Sequence, residues 1–168
     1  MVKEPKKLDE LFHDTLKDIY YAEKKILIAL PKMAKAAQNE DLSAAFEKHK
    51  TETEGQVDRL EQVFELIDEK PQGKKCAAIE GILDEGQEIM KEYKGSPALD
   101  AGLLSAAQAV EHYEISRYGT LRTWAEEMGL DRAAELLQQT LDQEEATDRS
   151  LTELAETVVN QEAQARAA

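Results

Sequence analysis

The chain contains one cysteine, four prolines and eight glycines in 168 residues, and it is short of positive charge. A single thiol, Cys76, cannot form a disulfide within the chain, and it fits a reducing compartment. With glycine and proline scarce, the chain is dominated by Ala, Leu, Glu, Gln and Lys, the residues that lose least on entering a helix. An all-α protein is expected. Lys and Arg number 21 against 35 acidic residues, a formal net charge of -14, which excludes binding to nucleic acid through phosphate neutralisation. The one basic cluster, Lys3, Lys6 and Lys7, is too small to overturn this. No apolar run approaches the ~20 residues that cross a bilayer, and the charged N-terminus lacks the apolar segment of a signal peptide. The expectation is a soluble, cytoplasmic protein forming a single domain over residues 1–168, with its core from about residue 8 to residue 158.

Four long helices and one short one follow from the spacing of apolar residues. The first runs from near Leu8 to about Gln38, with Leu8, Leu11, Phe12, Thr15, Ile19, Ile26, Leu30 and Met33 at steps of three and four. Pro31 lies inside it and predicts a kink or local break near Leu27, because proline removes one backbone bond and crowds the carbonyl four residues back. The turn Asn39-Glu40-Asp41 offers capping side chains for a second helix that carries Leu42, Phe46, Leu60, Val63 and Ile67 and ends at Pro71-Gln72-Gly73. A short amphipathic helix spans about Lys75 to Tyr93. Gly95-Ser96-Pro97 then predicts a stop, an N-cap and a first helical position for a third long helix reaching about Met128. Gly129 closes that helix, Asp131 caps the last, and the polar tail from about Asn160 is expected to fray. Tight turns join the first pair and the last pair of long helices, whereas roughly 25 residues separate the pairs. That is the connectivity of a ferritin-like four-helix bundle with an extra helix in its crossover.

Acidic residues interrupt the apolar stripes. Glu23 sits among Ile19, Ile26 and Leu30; Glu52 follows His49 and precedes Gln56; Glu111 and Glu114 lie between Ala107 and Tyr118; Glu144 and Asp148 lie between Leu141 and Leu151. Burying several ionised carboxylates costs several kcal/mol each unless they are paired, protonated or bound to metal. Acids are abundant here, so any one of these positions is as readily a solvated boundary residue; four helices each placing an acid near mid-length is what points to a cation. Oxygen-rich ligand sets favour iron or manganese over zinc or copper, and six acids exceed the need of one ion, so two ions are expected.

The same segments carry a resemblance. Tyr20-Tyr21-Ala22-Glu23-Lys24, His49-Lys50-Thr51-Glu52-Thr53, Cys76-Ala77-Ala78-Ile79-Glu80-Gly81, the run Val110-Glu111-His112-Tyr113-Glu114-Ile115-Ser116-Arg117-Tyr118-Gly119-Thr120, and Glu144-Glu145-Ala146-Thr147-Asp148 resemble the YciE/YciF branch of the ferritin-like superfamily. The likeness extends from Leu8 to Val158, and its most specific part is the run around Glu111 and Glu114. It implies a homodimeric, rubrerythrin-like bundle with a di-metal centre, from a family linked to bacterial stress responses. Two positions depart from the ferritin-like Glu-x-x-His pattern, since Gly55 follows Glu52 by three residues and Asp148 follows Glu145 by three. Gln56, one residue beyond the usual histidine, is open to being a weak ligand or a hydrogen-bonding neighbour.

The remaining candidates are weaker. His49 is open to being a ligand or a boundary residue, His112 should point away because one residue turns the helix by about 100°, and Glu80 reads as an exposed acid. Tyr20, Tyr21, Tyr113, Tyr118 and Trp124 read as core or interface aromatics, and Gly55 and Gly119 as sites of close packing. No phosphate loop, dinucleotide fingerprint or Ser/His/Asp arrangement is present. The leading expectation is a two-metal protein that reacts with dioxygen or peroxide, drawing electrons from an external reductant because no Cys-x-x-Cys module is attached. Its rivals are a structural or interaction bundle with a vestigial site and an iron-storing cage; a DNA-protecting miniferritin lacks the basic arm it would need.

Overall fold

A computed structural model describes residues 5–165. Five helices, α1 (Leu8–Ala36), α2 (Glu40–Leu66), α3 (Ala77–Glu92), α4 (Leu99–Glu127) and α5 (Asp131–Leu154), are followed by a π-helical turn, Ala155–Val159, and a last helical turn, α6 (Asn160–Ala165). No strand occurs among the described residues. Helices α1 and α2 pack as one antiparallel hairpin and α4 and α5 as another, α2 lies on α5 and α1 on α4, and α3 crosses over α1 and α4. The fold is the all-α, ferritin-like bundle with a helix in its long crossover.

Local chemistry explains most boundaries. Asn39 caps α2 by accepting from the N–H groups of Asp41 and Leu42 at 2.9 and 3.1 Å. Gly95 and Gly129 take φ values of +75° and +69°, the left-handed conformation that ends a helix at little cost to glycine. Helix α4 starts two residues later than Pro97, at Leu99, and Asp131 is the first residue of α5, whose N-cap position is Leu130. The first helix passes through Pro31 without the expected break. Its apolar neighbours Leu30, Met33 and Ala34 are buried, and that packing holds the turn despite the missing N–H.

Other expectations need correcting. The segment after Asn160 remains helical to Ala165, where Glu162 accepts from Asn39 Nδ2 at 3.1 Å. The wide π turn keeps Ala155 and Val159 on the inner face, so Val159 continues the apolar stripe of the last helix. Leu11 is 48% exposed and Leu16 takes its place in the core. The glycine of close approach is Gly102, where a Cβ would come within 2.7 Å of Ile89 Cγ2; Gly55 has open space and Gly119 only ordinary contact.

One buried acid serves the architecture. Asp100 on α4 accepts from the backbone N–H groups of Gln38 and Asn39 at 2.8 and 2.7 Å, tying the α1–α2 turn to the other hairpin. Asp100→Ala would remove two charge-assisted bonds at a part-buried joint, a loss of about 1–3 kcal/mol readable in urea unfolding.

Candidate metal centre

Helix α2 presents His49, α4 presents Glu111 and Glu114, and α5 presents Glu144, and one ligand atom of each lies within 4.8 Å of the others. All four are buried: the three glutamates are fully enclosed and His49 is 3% exposed. His49 Nδ1 is 3.1 Å from Glu111 Oε1 and its Nε2 is 3.5 Å from Glu144 Oε2, so the imidazole bridges α4 and α5. Gln56, seven residues along α2, donates to Glu144 Oε1 from the other side. Gln143 stands behind it, accepting from Gln56 at 3.4 Å and from Arg59 at 2.8 Å. The fifth buried acid is Glu23 of α1, which accepts a hydrogen bond from the Tyr118 hydroxyl.

Four of the six acids singled out in the sequence therefore converge here: Glu23, Glu111, Glu114 and Glu144. Glu52 and Asp148 do not enter the enclosed core. Their side chains are 22% and 20% exposed; Glu52 lies 3.3 Å from Lys48 Nζ and accepts from Thr147, while Asp148 meets His112 Nε2 at 3.2 Å and accepts from Gln108. Register explains both. The inner seam of α2 steps Phe46, His49, Thr53, Gln56, Leu60, and that of α5 steps Leu137, Leu141, Glu144, Thr147, Leu151. A threonine adjoining each acid takes the inward slot, and the acid turns about 100° away.

His49 is the ligand-type residue that the Glu-x-x-His template misses, because it precedes Glu52 by three positions instead of following it. Its step from Phe46 was the available signal. Glu145 is outside, 3.8 Å from Arg149, and Glu80 accepts from Tyr21 and lies 3.1 Å from Lys25 Nζ. His112, 70% exposed, points away from the cluster as its position predicts. Cys76 surprises: it caps α3, accepting from the Ile79 N–H at 3.4 Å, and sits 3.1 Å from the Tyr113 hydroxyl. Tyr113 gives its proton to Asp18 at 2.8 Å, so the thiol is the donor to Tyr113.

The electrostatics of the cluster are unbalanced. Both oxygens of Glu111 and of Glu114, together with Glu23 Oε2, Glu144 Oε2 and His49 Nε2, are buried without a hydrogen-bond partner. Native interiors leave few such atoms, so a cluster of them fits an electrophile held between them. Burial pushes the Glu111 and Glu114 carboxyls well above the usual carboxylate range, and the neighbouring Glu144 adds to the shift. Burial and the Glu144 charge raise Glu23 to about 8. Burial also acts against ionised Glu144, but the nearby His49 imidazole, the Glu111 carboxyl and the Gln56 amide outweigh it and hold that carboxyl below its ordinary value.

Residues 7–164 match the family described as "Domain of unknown function (DUF892)". The chain belongs to the DUF892 family. Protein YciF of Escherichia coli strain K12 is 45% identical over 163 residues, 96% of this chain and 98% of that protein. The crystal structure of the E. coli stress protein YciF matches with a TM-score of 0.88 and 46% identity, over 93% of this chain and 99% of that one. YcfI of Rhodopseudomonas palustris, named as a candidate structural protein, matches with a TM-score of 0.86 and 43% identity, over 90% of this chain and 97% of its own. A Xanthomonas campestris protein at 22% identity shares the fold, with a TM-score of 0.75 over 96% of this chain and 99% of its own. DUF892 membership agrees with the resemblance carried by the run from Val110 to Thr120. No helix among the described residues is long and apolar enough to cross a membrane.

Proposed function

We propose that this DUF892 protein is a stress-associated metalloprotein that holds two iron or manganese ions in its bundle core. The observation that carries the reading is the set of enclosed carboxylate oxygens, both of Glu114 and Oε2 of Glu111, that lack a protein hydrogen-bond donor, with His49 Nδ1 3.1 Å from Glu111 Oε1 beside them. His49, Glu111, Glu114 and Glu144 suffice for one ion, and Glu23, which interacts with Glu114, extends the donor set toward a second. A ligand set of four carboxylates and one imidazole suits borderline-hard cations. Glu52 and Asp148 flank the core at its margin and add negative field without donating. Bound iron or manganese supplies Lewis acidity and a redox couple, the chemistry that dioxygen or peroxide reduction requires, with electrons from an external reductant. The protein's own part is to exclude water, to orient Glu144 through Gln56, and to keep a proton on Tyr118 beside Glu23. The working unit is a cytoplasmic homodimer.

Metal analysis of protein purified without chelator tests the reading. Close to two ions per chain are expected after incubation with Fe(II) or Mn(II), falling below one in Glu111→Ala and Glu144→Ala. Stoichiometry near zero for the natural chain overturns it. A second reading, a structural bundle with a vestigial site, is supported by the description given to YcfI and by the raised carboxyl pKa values, which let the cluster persist protonated.

A further inference from the structure

The groove where α3 crosses α1 and α4 is lined by apolar side chains and, as charged residues, by lysines alone. It encloses about 160 Å³. Its walls are Ile28, Met33, Ile82, Leu83 and Met90, and its floor is Ala106. Gly86 faces that floor: a Cβ on Gly86 would lie 3.6 Å from the Ala106 Cβ, so two small residues meet where larger ones would fill the space. The charged residues lining the groove are Lys25 and Lys32, in a chain that carries 35 acidic and 21 basic residues. Lys25 stands 3.1 Å from Glu80, which steadies one side of the mouth, and Lys32 is exposed on the other.

The groove ends close to the carboxylate cluster. A smaller void of about 10 Å³ shares Ala29, Met33, Leu83 and Val110 with it and touches His49 and Glu111. One layer of side chains thus separates the groove from the core, and Met33 in that layer is an adaptable, unbranched side chain.

We infer that this groove binds a small amphipathic anion, a carboxylate with a short aliphatic or aromatic tail. The apolar walls take the tail and Lys32 at the mouth takes the head. Size sets the class of tail, since a dry apolar cavity of roughly 150 Å³ accepts a molecule such as benzene. Charge sets the head, because Lys25 is already paired with Glu80 whereas Lys32 stands exposed at the mouth with no ion-pair partner among the described residues, on a strongly negative protein. The seated tail abuts Met33 and Leu83, one side-chain layer from His49 and Glu111.

Methyl NMR titration of the metal-free chain tests this with three probes of six carbons each: hexanoate, 1-hexanol and hexylammonium. Hexanoate is expected to give saturable shifts confined to Met33, Ile82, Leu83, Met90 and Val110, and to bind more tightly than hexylammonium. Lys32→Glu, a change at an exposed position, should weaken hexanoate by roughly fivefold and favour hexylammonium. Leu83→Trp fills the groove and abolishes the shifts. Should that variant fail to fold, Ile28→Glu, on a side chain that is 60% exposed, places a negative charge on the same wall and lowers hexanoate affinity. Absence of saturable shifts overturns the site, and hexylammonium or hexanol binding as tightly as hexanoate overturns the anionic head. The titration needs no metal, so its failure leaves the metal proposal standing, and a chain that binds no metal leaves the groove standing.

Discussion

Saturating Fe(II) or Mn(II) raises the thermal unfolding midpoint of chelator-treated protein by roughly 10 °C, and the rise is absent in Glu111→Ala and Glu144→Ala. The size follows from linkage. A ligand at a thousand times its dissociation constant stabilises the native state by about 4 kcal/mol, and in a domain of this length each kcal/mol moves the midpoint by about 2–4 °C. The donors are already gathered, since the ligand atoms of His49, Glu111, Glu114 and Glu144 lie within 4.8 Å of one another in an enclosed core. The loaded state therefore gains attraction without a large ordering cost. Glu114→Gln separates stability from binding: it removes one acid from the cluster, so the chelated variant should melt higher than the natural chain while its response to metal shrinks. Differential scanning calorimetry at matched metal concentrations reads both. A natural chain whose midpoint ignores Fe(II) and Mn(II) would count against the metal centre.

The second large effect is a pH dependence of opposite sign in the two forms. In the chelated protein Glu23 is raised from 4.5 to about 8, and Glu111 and Glu114 are raised well above 4.5, so the native state binds more protons than the unfolded chain across the neutral range. Stability from these groups is complete below about pH 4.5 and falls as pH climbs through the native values, with Glu23 contributing on the order of a few kcal/mol by pH 8. Glu144 acts oppositely: its lowered value adds stability above pH 4.5 that is lost on further acidification. Urea midpoints of chelated protein should accordingly be highest near pH 5 and decline toward pH 8. Glu23→Gln combined with Glu114→Gln should flatten the decline. With Mn(II) bound, protons compete with the cation and stability should rise over the same interval. A chelated protein as stable at pH 8 as at pH 5 would contradict the burial of these acids as proton-holding groups.

Particular residues show where reading the chain succeeded. Helix count, the order of the two hairpins and the helix in the crossover followed from Asn39, Gly95 and Gly129 and from three-and-four spacing, all local features whose chemistry acts within a turn or two. Glu23 and Glu114 were legible for the same reason, with Ile19 and Ile26, and Val110 and Tyr118, about one turn away on either side, while Glu111 and Glu144 have Ala107 and Leu141 on one side. Glu52 and Asp148 were misplaced because steps of three and of four both satisfy a helical stripe. Only the packing of α2 against α5 selects Thr53 and Thr147 for the interior. His49 falls outside the Glu-x-x-His motif because it precedes its acid along the helix instead of following it.

Amphipathic period, capping residues and the long crossover are properties of contiguous residues, and they define an all-α bundle with acids on the inner faces of three helices, α1, α4 and α5. The meeting of His49 with Glu111 and Glu144, the Tyr118–Glu23 hydrogen bond, the clasp made by Asp100 and the lysine-rimmed groove join residues from different helices. Such contacts depend on how each helix is rotated about its own axis, to within one residue's 100°. That rotation is decided by the packed core as a whole, because close-packed side chains from neighbouring helices must interdigitate together.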